Sequence, residues 1–62
     1  MKTKAQIIKY LREQINNLHY CIVDIDNDNI YSKELKAIAI DNYKKQIKEL
    51  EIICKKLEGL LI

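Results

Sequence analysis

The sequence has no proline, no tryptophan and no phenylalanine, and its 62 residues include one glycine, Gly59. Each gap closes off a class of fold or function. Without Pro and Gly to make tight turns, an all-β fold of many short strands has nothing to punctuate it. Doubly wound sheets and barrels need several times this length. What remains is an all-α fold of one compact unit, and a chain of this size hides only about 60 % of the surface it exposes when unfolded. No apolar run is longer than four residues, as at Tyr20–Val23, and Lys9, Arg12 and Glu13 interrupt the stretch after the basic start. Neither a signal peptide nor a crossing of ~18–20 apolar residues is expected, so the reading is a cytoplasmic protein with no membrane partner.

What is present is helical patterning. The net charge is +2, with 48% apolar and 32% charged residues, the composition of an ordered chain rather than a disordered one. Twelve Ile, ten Lys against one Arg, and five Asn fit the AT-rich codons of a low-GC bacterium or its phages. From Ile8 the apolar residues fall at Leu11, Ile15, Leu18, Ile22 and Ile25, in alternating steps of three and four. That is a heptad seam. Thr3 and Gln6 have the spacing of a capping box, so helix one is expected over about 4–23. Three acids and two Asn in 24–29 favour turns, and the acidic loop is placed at 24–31. Helix two, capped by Ser32, is expected over about 32–60, with a seam at Ile40, Tyr43, Ile47, Leu50, Cys54, Leu57 and Leu61.

Two such helices joined by a short loop form an antiparallel hairpin, and residues whose numbers sum to about 56 then face each other. In that register Leu18 meets Ile38, and helix two outruns helix one by about ten residues, or roughly 15 Å. Ile53, Cys54, Leu57, Leu60, Leu61 and Ile62 are left with no partner in the chain. Six large apolar groups in water cost on the order of 1.5–3 kcal/mol each relative to burial. The expected architecture is therefore a homodimer, a four-helix bundle, with Ile53, Cys54, Leu57, Leu60 and Leu61 as the dimer or partner interface. Cys21 and Cys54 lie roughly 28 Å apart along this hairpin, too far for a disulfide within it.

Candidate chemistry is sparse. Asp24, Asp26 and Asp28 match the first ligand positions of a calcium loop, but Asn29 replaces the turn glycine and Leu35 the closing bidentate Glu. His19 and the two cysteines fall short of the four ligands of a structural zinc site. No metal, cofactor or catalytic residue is expected. The lysines are interleaved with acids, and one Arg without Trp or Phe offers little for reading or stacking bases, so nucleic acid is not the expected partner. The four tyrosines are expected to rim the seam with buried rings and wet hydroxyls.

Ile8-x-x-Leu11-Arg12-x-x-Ile15-x-x-Leu18, followed by Ser32-Lys33-Glu34-Leu35-Lys36, resembles the short motifs of the small sporulation-regulator aspartyl-phosphate phosphatases of bacilli. The resemblance covers Ile8 to about Tyr43 and implies a helical hairpin that dephosphorylates a response regulator. It carries over Ser32, Glu34 and Leu35. The family signature ends in Asp, whereas Lys36 stands here, and a cation cannot take over the role of an acid. The leading expectation is therefore not an enzyme. It is a regulatory protein-binding module that dimerises and modulates a partner, such as a phage-encoded inhibitor of a host enzyme, with the sporulation-type phosphatase as the alternative.

Overall fold

The computed structural model describes residues 2–59 and is built from two helices, α1 (Lys4–Asn27) and α2 (Lys33–Gly59), packed against each other. Two contacts fix their direction. Arg12 near the start of α1 pairs with Glu58 at the end of α2, and the Lys36 ammonium donates to the Asp26 carbonyl at 3.1 Å. The hairpin is antiparallel. Its extents are 46 × 16 × 15 Å and its radius of gyration is 14.5 Å, against about 10.6 Å for a compact chain of this length. The molecule is a rod.

Each helix begins where the side chains dictate. Thr3 accepts from the Gln6 amide at 3.2 Å while the Gln6 side chain accepts from the Thr3 N–H at 2.8 Å, so both halves of the capping box form. The Ser32 hydroxyl accepts from the Leu35 N–H at 3.2 Å and so caps α2. Between them Asp28 closes α1 through its backbone N–H to the Ile25 carbonyl, and its carboxylate accepts from the Ile30 N–H at 2.7 Å. That side-chain turn starts the reversal without a glycine.

α1 does not stop at Val23, where turn-forming composition would end it, but runs four residues further. Packing overrides the low helix propensity of Asp and Asn there, because continuing the helix keeps Ile25 half-buried on the seam. Lys36 adds to this. It occupies the seam position one heptad before Tyr43, and its ammonium reaches a carbonyl of the last turn of α1, the negative end of the helix dipole.

The longer α1 moves the register. The hairpin turns about residue 30, the cross-helix contacts Asp26–Lys36 and Arg12–Glu58 join residues whose numbers sum to 62 and 70, above the expected register of about 56, and the expected loop 24–31 becomes the five residues 28–32. The shifted register shortens the overhang expected for α2 beyond the start of α1. Both predicted seams face inward. Ile8, Ile47 and Cys54 are buried, and Leu11, Ile15, Leu18, Ile22, Ile25, Ile40, Tyr43, Leu50 and Leu57 are half-buried. Ile38, expected opposite Leu18, is instead 68% exposed and lies off the inward face that Ile40 and Tyr43 share. The expectation for the tyrosines is met by Tyr43 alone: Tyr10, Tyr20 and Tyr31 stand exposed, and the Lys2 ammonium lies 5.0 Å from the Tyr10 ring centre.

The capping box supplies two of the four orphan donors of α1. Thr3→Ala should cost about 1 kcal/mol and lower the thermal midpoint by about 4–8 °C for a domain of this size. Thermal unfolding followed by circular dichroism measures it, and an unchanged midpoint would show that the first turn frays without consequence.

Candidate functional site

Two clefts flank the seam, one on each side. On one side, near the open end of the hairpin, Arg12, Ile15, Asn16, Glu51, Lys55 and Glu58 line a polar cleft of 430 Å³. Arg12 and Glu58 pair there, with side chains 64% and 41% exposed, so the pair acts in high dielectric and contributes little.

The other cleft is different in kind. A groove of 620 Å³ lies at the loop end, walled by Ile25 and Tyr43 from the seam, Tyr31 from the loop, and Leu35, Ile38, Ala39 and Asn42 from α2, with the Lys36 stem beside them. Leu35 is 56% exposed and Ile38 more so. Lys36 is the one ionisable cation of the lining, and its ammonium is held at the Asp26 carbonyl. The groove is therefore apolar with a polar margin. Tyr31, Leu35 and Ile38 continue as a stripe in steps of four and three, parallel to the seam but on a different face of α2. The sequence carries this second spacing, but the expected register puts Ile38 inside the hairpin, and Leu35 also suits a helix start.

The expected interface residues separate in the structure. Cys54 is 6% exposed within the single chain, so it belongs to the hairpin seam and not to an unpartnered ridge. The five-residue loop, by placing Cys54 opposite the first turns of α1, is the reason. Leu57 is half-buried on the same seam, while Ile53 remains 45% exposed. Leu60 and Leu61 lie outside the described residues. Cys21 and Cys54 are both free thiols.

The residues carried by the family resemblance are at the start of α2. Ser32 is the cap, Glu34 is exposed in the first turn where its charge suits the dipole, and Leu35 turns to the groove. Of the calcium-like triad, Asp24 and Asp26 are helical, and side chains two apart on a helix project about 200° from each other. Asp28 spends its carboxylate on the loop. His19 and Cys21 diverge in the same way. Among the described residues no cluster of three His, Cys, Asp or Glu could hold a metal ion, and no helix is long and apolar enough to cross a membrane.

With Asp24 and Asp26 diverging, millimolar calcium should leave the thermal midpoint unmoved. A calcium-dependent rise abolished by Asp24→Ala and Asp26→Ala would show that the end of α1 unwinds to bind the ion.

No family model, no curated protein and no solved structure matches this chain.

Proposed function

We propose that this chain is a small, non-enzymatic regulatory module that self-associates and acts by binding and modulating a partner protein. The observation that carries the reading is the disproportion between inside and outside. Three apolar side chains are buried, none of them fully, while nine large apolar side chains among the described residues stand exposed. A two-helix unit with so thin a core draws its missing stability from association.

The surface area points the same way. The chain exposes 5263 Å², whereas a compact monomer of this mass exposes about 4,200 Å². The excess of roughly 1,000 Å² belongs to a rod whose seam is open along both flanks. The clefts are open and shallow, unlike the enclosed sites in which small substrates lose most of their hydration. A phage-encoded inhibitor of a host enzyme fits the small size and the Ile-, Lys- and Asn-rich composition, and it acts through contact alone.

Sedimentation equilibrium over a dilution series, with helicity followed in parallel, tests this. The expected result is a dimer at micromolar concentration whose helicity falls as it dissociates, since assembly and folding are then linked. A stable, fully helical monomer at micromolar concentration would overturn the self-associating part. Faster loss of the acyl phosphate from a phosphorylated response regulator, dependent on Ser32 and Glu34, would replace the reading with the sporulation-type phosphatase.

A further inference from the structure

The seams of α1 and α2 keep one phase across the loop. Ile22 and Ile40, and likewise Ile25 and Tyr43, are about five helical turns apart, 18 residues at 3.6 per turn. If residues 28–32 were helical, both seams would lie on one face of a single long helix, with Asn29, Ser32 and Lys36 filling the steps of three and four between Ile25 and Ile40. A hairpin does not need this agreement, because a loop lets each helix turn its own face inward whatever its phase.

The reversal itself presents no obstacle to such a helix. The chain has no proline, and its one glycine, Gly59, lies far from the loop. Among the described residues no backbone φ is positive, so the chain reverses without the left-handed residue that commonly ends a helix. Asp28, at φ −76° and ψ 134°, reaches the helical region by rotation of ψ alone. Two side-chain bonds hold the loop, from the Ile30 N–H to the Asp28 carboxylate and from the Leu35 N–H to the Ser32 hydroxyl. Both use donors that a continuous helix satisfies through its own carbonyls.

We infer that the self-associated form is domain-swapped: residues 28–32 become helical, and α1 of each copy packs its seam on α2 of a second copy of this chain. The inference rests on the self-associating module proposed above and names how its copies are joined. Seam contacts within the hairpin, Arg12 with Glu58 among them, are exchanged for the same contacts between chains. The free-energy difference between the two forms is then confined to the loop and to chain concentration. The two-fold axis falls near residue 31, midway between Asp26 and Lys36, which meet across the hairpin. There Asn29 of one copy comes beside Ser32 of the other, a polar step that sets the register of an otherwise apolar seam.

Asn29→Pro separates the two forms. The extended ψ of Asp28 suits a residue before proline, so the hairpin accepts the substitution, whereas the interior of a continuous helix does not. It should weaken dimerisation at least tenfold in sedimentation equilibrium, and Asn29→Ala, which keeps the N–H, should not. Isotope-filtered NMR on the unmodified chain gives a second readout, independent of whether the proline variant folds. In a dimer refolded from equal amounts of labelled and unlabelled chains, the methyls of Ile8 and Ile15 should contact α2 methyls of the oppositely labelled chain. If Asn29→Pro dimerises like the parent, if Asn29→Ala is weakened as much, or if those contacts arise only within a chain, the swap is wrong although self-association stands. A parent chain that is monomeric and helical would refute both.

Discussion

One interface, the seam between α1 and α2, supplies the hairpin's internal burial, and the rest of the structure answers to it. Two helices have one line of mutual contact, whereas a bundle of three or four encloses a volume. Most seam residues are therefore covered from one side by the partner helix and left open toward the clefts, which is why Leu11, Ile15, Leu18 and Ile22 stay half-buried even though their spacing is regular, and only Ile8, Ile47 and Cys54 are buried among the described residues. The same limit explains where polar groups are tolerated. Lys36 can occupy a seam position because the seam opens at the loop, and its ammonium finds the unsatisfied carbonyl of Asp26 there.

That lysine links the fold to its outer surface. Without the contact to Asp26 the ammonium would face the groove, and a desolvated cation beside Leu35 and Ala39 would oppose any apolar contact there. Turned inward, it stabilises the last turn of α1 and leaves the groove largely uncharged. It also marks a register: a polar residue at one seam position favours the alignment that satisfies it over slipped ones.

Fold class, both seams and both caps were legible in the sequence, because each rests on a local rule: heptad spacing, a Thr-x-x-Gln box, a serine before a helix. The end of α1 was not. Asp24, Asp26 and Asn27 favour turns locally, and only the contacts of Ile25 and Lys36, made across the hairpin, hold them in a helix. A four-residue misplacement of one boundary propagated to every cross-helix pairing. It put Cys54 on a bare ridge and Ile38 inside, when the structure has them reversed. Register in a hairpin is set by the loop, where the sequence signal is weakest.

The burial of Cys54 has a consequence for how the molecule can be observed. A thiol in the seam is shielded from alkylating reagents while the helices are together, and becomes accessible when they part. Cys21, half-buried on α1, is reached more readily and serves as an internal reference. The chain thus carries its own clock for local opening, in which the difference in labelling rate between two native thiols reports how often the end of the rod away from the loop comes apart.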